Sequence, residues 1–421
     1  MVDTTLVKVI DFWQENAQQK GLLPRVIVDA IDTETEEVVD IVGPRRSGKS
    51  SVMKLLIQKM KAKGNCLYMN FEDPYFIERS TPSVIEELIE AYTAYFKPNL
   101  SYIFFDEIQN ISSWEKAVRK LRDGQYKIFL SGSSSKLLSG ELSSLLTGRH
   151  MSYQLLPLSF REYLMFHNVS LPDKTAMILQ DAAVQKYFEE YLYIGGFPAV
   201  VLSGNQELLK QYYTDMIQRD IVRRHEVREA HILEKMGAYL ITNSAKIVSL
   251  SSLQRLYGIS YELASTYVDY FKEAFLLFEI SQFSYSLKKQ QKALKKIYPV
   301  DTGLANAVSF RFSEERGRML ETAIFLELKR RQKETYYYKT DSGKEVDFFV
   351  KDKDAGEFIQ VAWDLDDEKT RKREVASLLE AMEEQKLKNG LILTFNTREK
   401  LSLDNKHIAI QPVYTWLLDI G

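Results

Sequence analysis

The chain has 421 residues, 45% hydrophobic and 12% aromatic, and its 56 Lys and Arg against 58 Asp and Glu leave a formal charge of −2. This composition is too apolar for disorder and long enough for two or three cores, while the balanced charge excludes a global positive field, so any face for nucleic acid has to be local. The single cysteine, Cys66, excludes an internal disulfide and fits a reducing cytoplasm, and no run reaches the ~20 apolar residues of a membrane-spanning helix.

In chain order, the first segment, MVDTTLVKVIDFWQENAQQKG, reads as an amphipathic helix of a soluble protein rather than a leader, because Lys8, Asp11 and Glu15 interrupt its apolar spacing. EVVDIV then predicts a strand, and SSVMKLLIQKM a helix whose Val52, Leu55, Leu56 and Met60 recur at helical spacing. Between them Gly43, Pro44, Arg45, Arg46, Ser47, Gly48, Lys49 and Ser50 match G-x-x-x-x-G-K-[ST], with Ser51 following. Glycines there let backbone N–H groups curl round a β-phosphate, and the helix N-terminus adds partial positive charge. Lys49 is placed to reach the β and γ oxygens, and the Ser50 hydroxyl to ligate Mg²⁺. These residues predict ATP with Mg²⁺ as the bound nucleotide.

CLYMNFEDP predicts a second strand, with Cys66 buried in it, and LSYIFFDEIQN a third that ends on Asp106 and Glu107. A carboxylate pair at such a strand end is a Walker B arrangement, in which Asp106 holds the metal shell and Glu107 polarises the attacking water. The intervening strand separates the P-loop and Asp106 strands in sequence, which is the layout of additional-strand ATPases with a catalytic glutamate. YKIFLSGSSSKLL predicts the strand that lies between them in space, with Ser131 and Ser133 as candidates for a polar contact to the γ-phosphate or its water. The alternative is a serine-rich turn capping a helix at 136–138. Arg149 stands just before the fifth predicted strand, where a guanidinium could neutralise γ-phosphoryl charge in its own site or a neighbour's.

SFREYLMFHN and AAVQKYFEEYLYIGGFP read as amphipathic helices suited to a lid over the nucleotide; the glycines and proline of GGFP force a turn. Arg219, Arg223 and Arg224 lie on a long predicted helix, as a solvated face or as phosphate contacts. Residues 230–308 have the rhythm of a winged helix: a short helix, a turn at Gly258, Ile259 and Ser260, a second helix over 261–274, then a hairpin. The hairpin carries Lys288, Lys289, Lys292, Lys295 and Lys296 with no acid between 286 and 296, which suits the phosphate backbone of duplex DNA. A winged helix also serves as a protein-contact module.

Residues 312–421 read as a helix, three strands, a charged helix over 366–388 and a further strand, an order that resembles the PD-(D/E)xK nuclease core. Asp347 fits the second-strand aspartate and Glu321 the helix carboxylate. The third strand departs from the pattern: Gln360, Val361 and Ala362 stand where Glu-x-Lys is required. A neutral amide is a weak metal ligand, and an alanine activates nothing, so a nuclease-like fold kept for binding is expected over metal-dependent cleavage. Lys344, Lys351 or Lys353 moving into the gap would restore a nuclease.

Taken together, VGPRRSGKSS, LYMNFEDP, YIFFDEIQNISSWEKAVRKL, YLYIGGFP, YYTDMIQRDI, YPVDTGLANA and KEVDFFV resemble the prokaryotic AAA-type, STAND-related ATPases that carry a C-terminal nuclease-like domain of unknown function. The resemblance covers nearly the whole chain. It implies an α/β protein with a P-loop ATPase domain (1–158), a helical lid (159–229), a winged helix (230–308) and a degenerate nuclease-like domain (312–421). It also implies slow ATP turnover that switches conformation, coupled to DNA or to a protein partner, with a signalling scaffold and an ATP-regulated nuclease as the alternatives.

Overall fold

The computed structural model describes residues 3–62, 65–135, 149–171, 173–309, 316–351, 356–403 and 405–418. It divides into two compact units, residues 1–156 with 273–275, and residues 157–272 with 276–421. The helix expected at 136–138 lies outside the described residues, as does Lys353.

The first unit is built on five parallel strands, β1 (Val38–Val42), β2 (Cys66–Asn70), β3 (Tyr102–Asp106), β4 (Lys127–Gly132) and β5 (His150–Gln154), in the order β2-β3-β4-β1-β5. A parallel sheet is covered on both faces, so its inner strands are continuously apolar rather than alternating; all five residues of β1 are buried. Helices Lys49–Lys59, Ser83–Tyr95 and Trp114–Asp123 supply the crossovers between them. The N-terminal helix Thr4–Ala17, capped by the Asp3 carboxylate on Thr5 N, buries Leu6, Ile10 and Ala17. Cys66 is buried in β2, as its apolar setting predicts. Because β4 is inserted between β3 and β1, the carboxyl ends of three strands meet: Ser131 stands level with Ile41 on one side, and its hydroxyl meets Asp106 on the other.

The second unit opens with helix Phe160–Phe166, whose N-terminus is a capping box of Ser159 and Glu162. Helices Asp181–Ile194, Pro198–Ser203 and Glu207–Asp215 follow, the last running into a π-helical turn, Met216–Val222, that carries Arg219 and the buried Asp220. GGFP is a turn, with Gly195 at φ +78° and Pro198 in the first turn of the next helix. Helix Ala230–Thr242, β6 (Lys246–Val248), helices Leu250–Tyr257 and Tyr261–Glu273, β7 (Leu277–Ser281) and β8 (Lys295–Pro299) come next, the strands antiparallel in the order β6-β8-β7. The connection between β7 and β8 contains a short helix, Leu287–Lys292.

Six strands complete the unit: β9 (Glu334–Lys339), β10 (Glu345–Lys351), β11 (Gly356–Val361), β12 (Asn389–Thr394), β13 (Glu399–Leu403) and β14 (Lys406–Pro412), ordered β13-β14-β12-β11-β10-β9. Helix Glu368–Glu384, shorter than the expected 366–388, is the crossover that lets β11 and β12 run parallel. Its Leu378, Ala381 and Met382 pack on Val346, Phe358 and Ile392, and each Leu or Met so buried contributes roughly 1.5–3 kcal/mol.

The three parts expected after residue 158 are interlaced within this one unit. Asp301, just after β8, accepts from Gly196 N at 2.7 Å and Leu304 N at 2.8 Å. Asn306 donates to Leu192 O and Tyr193 O, and Arg330 donates to Pro157 O and Leu158 O. The segments GGFP and VDTGL, far apart in sequence, therefore form one buried joint.

Candidate nucleotide-binding site

The P-loop leaves the carboxyl end of β1 and enters helix Lys49–Lys59 through Gly48, whose φ of +98° is costly for any residue with a Cβ. Gly43 is required for a different reason: a Cβ there would stand 2.1 Å from Leu155 O. The loop is braced from below by Arg25, 5% exposed, which donates to Ser47 O at 2.7 Å and to Leu156 O at 2.9 Å. Sequence reading passed over Arg25, because nothing local marks it as different from any surface arginine.

Lys49 is 4% exposed, and its ammonium donates to Gly43 O and Pro44 O at 3.2 Å each while standing 3.1 Å from Glu107 Oε1. Glu107 occupies the left-handed region at φ 54°, a conformation that turns its carboxylate back from the end of β3 toward the P-loop. Gln109 Nε2 clamps that carboxylate, donating to Glu107 Oε2 at 2.5 Å and to Ser133 Oγ at 3.3 Å. Although burial pushes the other way, the Lys49 ammonium pulls Glu107 down to about 2.

Asp106 is fully buried and receives the Tyr68 hydroxyl at 2.9 Å, Asn70 Nδ2 at 3.3 Å, and the Ser131 and Ser50 hydroxyls. Burial first, and the neighbouring Glu107 second, push its carboxyl above the usual range. Ser131 Oγ also accepts from Glu107 N at 3.2 Å, so one hydroxyl fixes both acids. Ser131, Ser133, Lys49, Ser50, Asp106 and Glu107 are thus brought together at one end of the sheet. Arg45 reaches Glu72 at 2.6 Å, Arg46 is exposed with φ 69°, and Ser51 continues the helix. Gln109 and Tyr68 are hydrogen-bonded neighbours of these acids that the sequence did not single out; the two-residue step from Glu107 was the one available signal for Gln109.

The residues fit a magnesium nucleotide by an observation independent of the motif. Two buried polar atoms, Ser47 Oγ in the loop and Gln109 Oε1 beside Glu107, have no hydrogen-bond partner. Unsatisfied buried groups are costly, and an anionic ligand with its water shell would satisfy them.

Arg149 stands away from the phosphate site of its own chain. It precedes β5, where Val38, the first residue of β1, pairs with His150, whereas the P-loop follows Val42. A five-residue strand, about 16 Å at ~3.3 Å per residue, separates it from the phosphate site of its own chain.

The C-terminal residues singled out in the sequence also converge, but around an unexpected partner. Glu321 and Asp347 both contact Lys296, at 2.6 and 3.0 Å, so Lys296 is buried and unavailable to a nucleic acid. Lys295 is turned to Ser281 Oγ and Gln290 O; Lys288, Lys289 and Lys292 are exposed. Lys344 binds Glu380 and Lys351 faces Glu334, so neither fills the third-strand gap. Gln360 donates to Glu374 Oε2 at 2.5 Å and accepts from Asp347 N at 3.2 Å.

Residues 35–164 match the family model described as an AAA domain. The uncharacterized protein MJ1544 of Methanocaldococcus jannaschii is 36% identical over 397 residues, spanning 90% of this chain and 87% of the relative. The chain belongs to the same family as this relative and carries an AAA domain. A second relative of the AAA-domain chain, an uncharacterized protein of Haemophilus influenzae, is 30% identical over 398 residues, 91% of this chain and 95% of its own. Beyond the AAA domain, residues 185–315 and 316–415 match two domains of unknown function, DUF8612 and DUF4143. AMPPCP-bound DnaA from Aquifex aeolicus aligns at 12% identity over 58% of this chain and 86% of its own, with a TM-score of 0.26.

Proposed function

We propose that the AAA domain binds MgATP and hydrolyses it slowly, as a conformational switch coupled to duplex DNA through residues 230–308. The observation that carries this reading is the Lys49, Glu107 and Gln109 contact at the P-loop. Gly43 to Ser51 would hold the phosphates with Lys49 reaching them, and Ser50 and Asp106 would hold Mg²⁺, which would supply positive charge beside the transferring phosphoryl group. Glu107 orients the hydrolytic water, with Ser133 placed beside it through Gln109.

The resting ion pair sets the basicity of Glu107 before nucleotide binds. While Lys49 holds Glu107 near 2, the carboxylate is a poor base. When Lys49 moves to phosphate, Glu107 loses its nearest cation and its proton affinity rises toward the range where a base works. Arg149 is left to a neighbouring chain or to no role in the chemistry.

Coupling to DNA is supported by the order of elements from Ala230 to Pro299 and the β6-β8-β7 sheet, which follow a winged helix, and by exposed Lys288, Lys289 and Lys292 at the hairpin tip. The C-terminal helix, three strands, helix and strand support a nuclease-like scaffold, and Gln360 and Ala362 support its having lost cleavage. Fluorescence polarisation on duplex DNA tests the coupling. Three phosphate contacts predict a slope of about −3 in log affinity against log salt, and different affinities with ATP and ADP. Equal, weak binding in both states refutes the DNA reading and transfers the switch to a protein partner.

A further inference from the structure

Arg45 is the third residue of the P-loop, and its Nη1 donates to Glu72 Oε1 at 2.6 Å. Of the two arginines in the loop, Arg46 is exposed, whereas the Arg45 side chain is only 11% exposed. Glu72 lies on the turn after β2, and that turn is fixed on both sides. The Glu72 N–H donates to Asn70 Oδ1 at 2.7 Å and Phe71 N to Asp106 O at 2.9 Å, while Asp73 accepts from Trp13 Nε1 at 2.8 Å. Asn70 Nδ2 in turn reaches Asp106 Oδ2 at 3.3 Å. Arg45 is therefore paired with a carboxylate held in register with the acids of the nucleotide site. It also acts on those acids: burial pushes Glu107 up, but the Lys49 ammonium, then Gln109 and then the Arg45 charge hold it low. Arg149, by contrast, precedes β5 at the far end of the sheet.

We propose that Arg45 is a catalytic residue: its guanidinium leaves Glu72 for the γ-phosphoryl group of bound ATP, offsets the charge that develops there, and returns to Glu72 when phosphate departs. This role rests on the ATP-hydrolysing reading of the site given above. A guanidinium suits it, being permanently charged, planar and able to donate to two phosphoryl oxygens at once. The γ-phosphoryl group carries more negative charge than Glu72, whose side chain is 39% exposed and screened by water, so arriving ATP draws the guanidinium away. In the transfer the water oxygen bonds to Pγ as the bond from Pγ to the β,γ-bridging oxygen breaks. The water gives one proton to Glu107, the electron pair of the broken bond leaves on ADP, and Glu107 then releases its proton. ATP and water thus yield ADP, hydrogen phosphate and one proton. Arg45 takes part in neither bond; it stabilises charge on the outer oxygens of the transferring group.

The test is hydrolysis of γ-labelled ATP by the full-length chain, with KM measured alongside kcat. R45A should lower kcat at least ~100-fold while moving KM by less than about 5-fold. R45K should recover little, because an ammonium lacks the paired donors, whereas sub-denaturing guanidinium should restore part of the R45A rate and none of the K49A rate. E72Q should bind ATP more tightly and turn over at least as fast as wild type, since Arg45 then has no competing carboxylate. Turnover in R45A within about 3-fold of wild type overturns the proposal, as does an E72Q that loses turnover as R45A does, which makes the pair structural. E107Q separates this result from the reading it rests on. Turnover lost in E107Q but kept in R45A removes Arg45 from the chemistry and leaves the nucleotide site standing; a wild type without turnover, or an E107Q with all of it, ends both. Should R45A not fold, R45Q is judged by the same criteria, and if neither folds Arg45 is a structural residue and the proposal fails.

Discussion

Replacing Lys49 by Met removes the cation nearest to a buried acid, and the cost follows from the displacement of that acid. Glu107 is held down from 4.5 to about 2, which corresponds to about 3 kcal/mol at neutral pH. The sign is that of a depressed carboxyl: the stabilisation is fully present above its unfolded value and is lost as pH falls toward 2. Glu107 is 7% exposed, so solvent screens little of this. K49M should therefore destabilise the nucleotide-free first unit by about 3 kcal/mol at pH 7, and K49M/E107Q should recover most of it, because the neutral amide no longer needs a counter-charge and no longer raises Asp106. Hydrogen exchange by mass spectrometry is the assay, since it resolves β1, β3 and helix Lys49–Lys59 separately from the second unit. An exchange rate about a hundred-fold faster in K49M than in K49M/E107Q is expected where opening limits exchange. If K49M costs the same in both backgrounds to within ~0.5 kcal/mol, the two residues are uncoupled and the resting pair described here is wrong.

Two further outcomes concern the joint in the second unit. Gly195→Ala places a Cβ 2.1 Å from Asp301 Oδ1 at φ +78°, so a loss of roughly 3 kcal/mol or more is expected in thermal unfolding of that unit; an unchanged transition would show that the joint yields freely. Asp301 is pushed up to about 6 by burial, so its contribution is full below about pH 4 and declines as pH rises through 6. Asp301→Asn should flatten the stability profile between pH 4 and 6 by about 3 kcal/mol, and an identical profile in the variant would assign that pH dependence to other groups.

Much of the nucleotide site was legible because its chemistry is local: Gly43 to Ser50 are contiguous, and Asp106 and Glu107 end an apolar strand. The clamp on Glu107 was not, since Gln109 acts only because a left-handed residue turns the chain back. Arg149 was legible as the residue before β5; because all strands of a parallel sheet start at the same end, that position lies opposite the P-loop of its own chain. The five lysines before residue 297 read as one patch, yet strand alternation and the acids of helix Arg316–Arg330 and β10 turn Lys296 inward. Strands β13 and β14 went unread because EKLSL and KHIAI are short and open on charged or polar residues, a pattern close to that of a polar loop, although only β13 is an edge strand and β14 pairs on both sides.

The central claim, that Lys49, Asp106 and Glu107 form one MgATP-hydrolysing site, is tested most directly by measuring ATP affinity and turnover together in wild type, K49A and E107Q. Wild type should turn over slowly, E107Q should bind ATP without turnover, and K49A should lose both. Undiminished hydrolysis in E107Q, or undiminished ATP binding in K49A, would contradict it.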